Sequence, residues 1–375
     1  MIVVNGKFLS GGETGVHRVA HHILSELDAI RKERQAAEET VADAKILCSR
    51  MFHGERPLES FDYEVSKFLV WQLWEQIELP LSLKKDDLLL SLCNLAPVTR
   101  HRAITMIHDA QVFLSAESYN PLFAHWYQFA YRQMGKRQQH LLTVSDFSRQ
   151  QLVSVGIAPA EKITVVPNGV DHLAQIEAET GVLERLGLAP QGYCLALANT
   201  QAHKNIGLLL EAFHDPRLAD TRLVLFGTAT AEDFAMAGHP PPPNTVFAGR
   251  VSDGALKTLM MQAGALLFPS LTEGFGLPPL EAMYLGCPTI VSPCGALPEI
   301  CGDAALTIAP DDVSGWADAI ISLLGDSTLR ADHVARGHRQ AAKYTWRKAA
   351  EIVDRVIAEH LPVSAGERYV PEPDQ

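Results

Sequence analysis

Short apolar runs separated by helix-length amphipathic stretches recur along the whole chain, and no other feature narrows the possible folds as far. In the first half the runs are IVVNG, AKILCSR, LLLSLCN, AITMIHD, HLLTVSD and ITVVPNG. In the second they are YCLALAN, RLVLFG, TVFAGRV, ALLFPS, PTIVSP and AALTIAP. Strand-length apolar runs alternating with helical patterns predict parallel sheets joined by crossover helices. After the first run, Val16, Val19, Ala20, Ile23, Leu24, Leu27 and Ile30 keep the i, i+3, i+4 spacing of a helix lying on a sheet.

Two such sets in 375 residues fit two doubly wound α/β domains of roughly 150 residues each. The boundary falls in VPNGVDH, residues 166–172, where Asn168-Gly169 reads as a turn after a strand. This divides the chain into residues 1–170, 171–345 and a terminal piece, 346–375. HPPPPN at 239–244 reads as a stiff surface connection. The tail VSAGERYVPEPDQ has little to bury and is expected to be mobile.

The formal charge of −12 argues against a nucleic-acid partner. Its distribution is uneven. Residues 1–170 hold 18 Lys and Arg against 19 Asp and Glu, whereas the remainder holds 14 against 25. The first half can therefore present basic patches, and the second is an acidic, solvated body. No run of about 18 apolar residues suggests a membrane span. MIVVNGKFLSGGETG lacks the pattern of a signal peptide, so a cytoplasmic protein is expected. The six cysteines fit neither CxxC pairs nor a disulfide framework and are expected as reduced, mostly buried thiols.

EGFGLPPLEAM, residues 273–283, carries two carboxylates around a glycine loop. Pro278 and Pro279 suit the first turn of a helix. Gly274 and Gly276 therefore sit in a strand-to-helix loop, where bare backbone N–H groups and the helix N-terminus suit a diphosphate. Glu273 and Glu281, the latter expected in the helix's first turn, cannot bind phosphate themselves. Carboxylates accept hydrogen bonds from sugar hydroxyls, and a nucleotide sugar has a polyol at each end of its diphosphate. The bland alternative is a capping Glu and a Glu on a solvated face.

The stretch resembles the E-x7-E motif of retaining glycosyltransferases of family 4, which have the GT-B fold. Residues 263–306, HKN at 203–205, VPNGVD at 166–171, TVSDFSR at 143–149 and IHDA at 107–110 resemble that family as well. Residues 31–100 contribute least. The resemblance implies two Rossmann-like domains facing a central cleft, with the helix near TWRKAAEIVDRVIAEH crossing back to the first. It implies that Glu273 contacts the donor sugar and Glu281 the ribose, and that Gly274, Phe275 and Gly276 supply backbone donors with Leu277 nearby. Lys204 matches the residue that neutralises the diphosphate. The family's Arg five positions earlier is replaced by Asn199, so His203, Arg250 or Arg18 would supply the missing charge. His108, at a strand end, matches a histidine of the catalytic cleft. Asp109 either orients it or caps the following turn.

In SGGETGVHR, residues 10–18, the glycines miss the GxGxxG spacing of a dinucleotide site. Gly12, Gly15 and Arg18 are candidate contacts near the diphosphate and acceptor; a tight turn without a ligand is the alternative. His17 and His21 share a helix face, but no third ligand is suggested nearby and no metal is expected. The segment 120–140 mixes aromatics with Arg132, Lys136 and Arg137. Such a helix can rest on the inner surface of a membrane and help reach a lipid-linked acceptor. The alternative is a core-packed helix with a solvated basic edge.

The expectation is a retaining, metal-independent hexosyltransferase of polysaccharide assembly, with GDP-mannose as leading donor and a glycan or lipid-linked saccharide as acceptor. A UDP-hexose donor, a GT-B epimerase and a non-catalytic binding relative are the rivals. The oligomeric state is left open.

Overall fold

The computed structural model describes residues 1–10 and 14–361, the side chain of Glu117 excepted. Its strands form two sheets, parallel throughout. The first has the order β3-β2-β1-β4-β5-β6-β7. These strands are β1 Ile2–Asn5, β2 Ala44–Cys48, β3 Asp62–Val65, β4 Leu88–Ser91, β5 Ala103–Met106, β6 His140–Thr143 and β7 Ile163–Val165. The second has the order β10-β9-β8-β11-β12-β13. Its strands are β8 Tyr193–Ala198, β9 Arg222–Gly227, β10 Thr245–Gly249, β11 Ala265–Phe268, β12 Thr289–Val291 and β13 Leu306–Thr307.

Each apolar run contains one of these strands. Only β3 has no counterpart among the runs. It lies at the sheet edge beside β2 and alternates exposed with half-buried residues, DYEV. An edge strand needs backbone pairing on one side and little apolar surface.

Both strand orders reverse beside the domain's first strand, with β1 between β2 and β4 and β8 between β9 and β11. At such a reversal the loops leaving neighbouring strands diverge and open a crevice at the strands' C-terminal ends. Lys204 follows β8 and Glu273 follows β11, so both belong to loops bordering the second crevice. His108 follows β5 in the first sheet.

Six helices position the site: α1 Gly15–Ala36, α2 Pro121–Arg137, α3 Asp146–Ser154, α4 Asp253–Gln262, α5 Leu277–Tyr284 and α6 Trp346–His360. The α6 helix packs along α1 and joins the apolar cluster of the first sheet. Arg34 pairs with Asp354, and Arg347 with Glu33. Exposed pairs of this kind contribute about 0–1 kcal/mol. The buried Val353, Val356 and Ile357, at roughly 1.5–3 kcal/mol each, hold the helix in place.

The turn expected at Asn168-Gly169 is absent. Residues 166–170 run without turn or helix, and Val166, Asn168 and Val170 are buried. The glycine serves close approach instead, because a Cβ there would overlap the backbone of Trp346. All six cysteines are free thiols, four of them buried. The tail 363–375 lies outside the described residues.

Candidate active site

The loop between β11 and α5 is built to bring main chain close to its neighbours. Gly276 caps α5 at φ +104°, a conformation open to glycine, and a Cβ there would also stand 2.8 Å from Leu297 Cδ2. Gly295 lies so close to Glu273 that a Cβ would overlap its backbone, and the neighbouring Ala296 N–H donates to Glu273 O at 3.0 Å. Phe275 anchors the loop: its side chain is buried and meets Tyr344 edge to face at 5.8 Å. An ordinary helix start offers four unpaired N–H groups. Here Pro278 and Pro279 have none, so the amides able to meet an anion are concentrated in residues 274–277. Glu281 is the fifth residue of α5. It therefore lies one turn further in than the expected first turn, because the helix begins at Leu277.

Lys204 closes this loop from the β8 side. Its Nζ donates to Glu273 Oε1 at 2.7 Å, and both side chains are largely buried, 17% and 11% exposed. An ammonium has three donors, so the pair leaves Lys204 capacity for phosphate oxygens. Asn205, at φ +55°, donates to Pro269 O and Pro310 O and thereby fixes the turn that carries Lys204.

Gly274 meets the first domain directly. A Cβ on it would stand 2.9 Å from His108 O and 3.0 Å from Asp109 Cβ. Ser145 and Ser148 donate to Gly274 O at 2.6 and 3.0 Å. In a planar trans peptide, holding the carbonyl also fixes the direction of the Phe275 N–H. At the start of α3 the N–H groups of Asp146 and Phe147 donate to the Glu299 carboxylate at 2.9 and 3.0 Å. These contacts clasp the two domains across the cleft. Ser145, Ser148, Glu299, Asn205 and Gly295 are absent from the residues expected as site residues, although TVSDFSR and HKN contain three of them.

His108 is 7% exposed, and burial pushes its imidazole down to about 4. Its Nε2 faces Leu92 O at 2.9 Å. A carbonyl only accepts, so the ring's proton sits on Nε2, and Nδ1 is left as an acceptor. At neutral pH the ring is uncharged. Asp109 is pushed above the usual carboxylate range, first by burial and then by the nearby Glu273 charge, while Lys204 acts in the opposite sense. It accepts from Gln111 N–H at 2.9 Å, as a turn-capping Asp does. The structure thus gathers Asp109, Glu273 and Lys204 at one place.

Glu281 faces elsewhere. Burial raises its carboxyl to about 7, and His172 Nε2 lies 4.0 Å away. Trp346 Nε1 donates to His172 Nδ1 at 3.1 Å, which leaves the ring's proton on Nε2, facing the carboxyl. His172 is itself pushed down to about 4, chiefly by burial, so the contact is not an ion pair.

The remaining candidates are scattered. Asn199 Oδ1 accepts from Gln201 N–H at 2.8 Å, and its amide donates to Gln201 Oε1, so it shapes a turn. His203 is buried, Arg250 is exposed after β10, and Arg18 pairs across the cleft with Asp253 at 2.7 Å. Gly15 opens α1, and among the described residues nothing lies within 4 Å of its would-be Cβ. Gly12 lies outside the described residues. His21 meets Phe8 edge to face at 4.9 Å. Among the described residues, no three His, Cys, Asp or Glu gather as a metal site.

Two family profiles match the chain: "Glycosyl transferases group 1" over residues 191–326 and "Glycosyltransferase Family 4" over residues 86–172. O-antigen chain mannosyltransferase B of Escherichia coli is 33% identical over 261 residues, covering 67% of this chain and 68% of that protein. O-antigen chain mannosyltransferase RfbU of Salmonella typhimurium is 26% identical over 300 residues, covering 78% and 80%. Among solved structures, Anabaena HepE in complex with UDP and glucose superposes with a TM-score of 0.70 at 15% identity, covering 95% of this chain and 99% of that one. That likeness establishes the GT-B fold.

Proposed function

The chain belongs to glycosyltransferase family 4, and from that premise we propose that it moves a mannosyl residue from GDP-mannose to a glycan or lipid-linked saccharide, with retention of configuration. The observation that carries this reading is the Lys204–Glu273 pair set beside the amide-rich loop 274–277. Lys204 and the loop amides would take the diphosphate, Glu273 would accept from a hydroxyl of the transferred sugar, and Glu281 from the ribose. The bond between the anomeric carbon and the phosphate oxygen breaks on the face where the acceptor oxygen attacks. The acceptor's proton passes to the departing phosphate. Lys204 and the amides supply the charge that the leaving group needs, so the proposal requires no metal. His108, neutral and with its N–H committed to Leu92, would accept a hydrogen bond from donor or acceptor and not give a proton. Both curated relatives described above are named mannosyltransferases, and this favours mannose over another hexose.

A thermal-shift screen tests the donor. A nucleotide sugar at 100 times its dissociation constant stabilises a fold by about 2.7 kcal/mol. GDP-mannose is expected to give the largest shift, and stabilisation by UDP-glucose alone would replace it. Incubation with acceptor extract then separates transfer from epimerised free donor and from binding without turnover.

We also infer peripheral contact with an anionic membrane. Leu73, Ile77 and Leu81 form an exposed stripe at four-residue spacing, and Leu122 and Phe129 are exposed on α2. Arg132, Lys136 and Arg137 are exposed on the last turns of that helix. An apolar face beside a cationic one suits a lipid interface. Among the described residues no helix is long and apolar enough to cross a membrane. Sedimentation with vesicles containing phosphatidylglycerol at low salt should carry the protein down, and neutral vesicles should not; equal recovery in both supernatants overturns the inference.

A further inference from the structure

We propose that a second carbohydrate site lies in the first domain, a pocket of about 230 Å³ that takes one hexopyranose ring. Calling that ring the acceptor's terminal sugar rests on the glycosyltransferase reading above; the pocket itself does not.

The pocket is polar on one side and aromatic on the other. Glu75 is 1% exposed, and its two oxygens accept from Asn5 Nδ2 at 2.8 Å and Lys7 Nζ at 2.6 Å. Each carboxylate oxygen retains capacity for a further hydrogen bond, and the ammonium has further donors. The pair is neutral as a unit, so an anion drawn to Lys7 would be repelled by Glu75. A polyol can donate to one and accept from the other. A wholly apolar ligand would leave both charges facing it unhydrated, a cost with no return.

Trp71 and Tyr127 supply the opposite character. Trp71 is 57% exposed and stands at φ +54°, a region a bulky side chain enters only against a steric cost. It opens a short helix that passes into a π-helical turn, Trp74–Glu78, which carries Glu75. Such turns recur at functional sites. The backbone thus departs from regular geometry at the two residues that supply the pocket's indole and its carboxylate. A sugar ring has an apolar C–H face and a hydroxyl rim, and this lining matches both. The volume lies below the roughly 300–1,000 Å³ of pockets for drug-sized ligands, which fits a single ring.

The pocket also adjoins the reaction centre. Leu92 lines it and accepts the His108 Nε2–H, and His17 in its wall is close enough to act electrostatically on His108. A ring held there lies on the His108 side of the cleft, opposite the donor loop.

The test is saturation-transfer NMR on the full chain with methyl α-D-mannopyranoside and methyl α-D-glucopyranoside, in the presence of excess GDP or UDP to occupy the donor loop. At least one glycoside should receive saturation. Trp71→Ala should weaken its binding about tenfold, and Glu75→Gln should also weaken it. Trp71 is exposed, so its replacement keeps the test valid should Glu75→Gln fail to fold. Silence of both glycosides with folded wild-type protein, or undiminished binding by Trp71→Ala, overturns the proposal. Binding of the nucleoside diphosphate is read in the same samples. Its failure beside a Trp71-dependent glycoside signal would remove the donor reading and leave the pocket standing.

Discussion

On the reading proposed above, the two walls of the cleft would recognise their ligands by different means. The second domain offers main chain: residues 274–277 approach closely because Gly274, Gly276 and Gly295 lack side chains, and one lysine closes the site. The first domain offers side chains, with Asn5, Lys7, Glu75, Trp71 and Tyr127 converging from three separate stretches. A diphosphate is the same in every nucleoside-diphosphate sugar, and a fixed array of amides suits it. An acceptor differs from enzyme to enzyme, and side chains can change without disturbing the backbone. If both proposals hold, the shared half of the reaction is held by backbone and the variable half by residues free to vary.

The largest expected effect comes from separating Lys204 from Glu273. Lys204→Ala removes the cation proposed for the diphosphate and leaves a largely buried carboxylate unpaired. Stability should fall by about 2–3 kcal/mol, short of the full cost of breaking a wholly buried pair because both groups retain some exposure. Calorimetric titration should show nucleoside diphosphate affinity falling far more than nucleoside affinity; equal losses would break the contrast between the walls. Glu273→Gln should keep nucleotide binding and lower kcat by about 10²–10³.

Next comes the main-chain approach itself. Gly274→Ala pushes a methyl group against His108 O and Asp109 Cβ and should cost about 1–3 kcal/mol, with turnover reduced in a steady-state assay. Gly15→Ala is the control for conformational freedom. With no described residue within 4 Å of the added methyl at the start of α1, it should raise stability by about 0.4–1 kcal/mol.

Burial also shifts several titrating groups. His108, His140 and His172 are pushed down to about 4, each chiefly by burial, from an ordinary 6.5. The unfolded chain therefore takes up their protons first, and their contribution, complete above pH 6.5, is lost as the pH falls towards 4. Glu281 is raised from 4.5 to about 7. Its contribution is complete below pH 4.5 and is lost as the pH rises through 7. Each group changes stability by at most about 1.4 kcal/mol per pH unit. With three groups against one, stability rises with pH across the acid range and levels off above about pH 7. Glu281→Gln should steepen the acid limb in urea unfolding, because it removes a group that opposes the histidines. Nucleotide affinity should rise with pH through 7, since a ribose hydroxyl donates best to ionised Glu281, and this rise should vanish in the same variant.

The smallest effects belong to the clasp. Ser145→Ala and Ser148→Ala should each cost about 0.5–1.5 kcal/mol, and Glu299→Gln about 0.3–1 kcal/mol at the start of α3. Combining all three should enlarge the radius of gyration measured by small-angle scattering. An unchanged radius would show that the apolar cluster alone holds the walls together.

Much of the fold was legible in residue order. Apolar runs and helical periodicity located every strand except β3, whose place at the sheet edge freed it from carrying an apolar run. The close-packed loop between β11 and α5 was equally legible, because close backbone approach requires particular residues at consecutive positions, and EGFGLPPLEAM shows them together. The run VPNGVDH misled in one respect. Gly169 reads locally as a turn residue, yet it is there to admit the backbone of Trp346, far along the chain.

Tertiary structure alone decided the rest. Only the fold shows that Glu75 meets Asn5 and Lys7, that α3 grips Glu299, and that His172 faces Glu281. No local spacing records these meetings, because each depends on where two sheets and a returning helix place distant side chains. Protonation states follow the same rule. Burial sets Glu281 near 7 and His108 near 4, and burial belongs to the packed molecule. The sequence by itself determined which backbone could form and where it could approach its neighbours closely; packing determined which side chains face one another and what charge they carry.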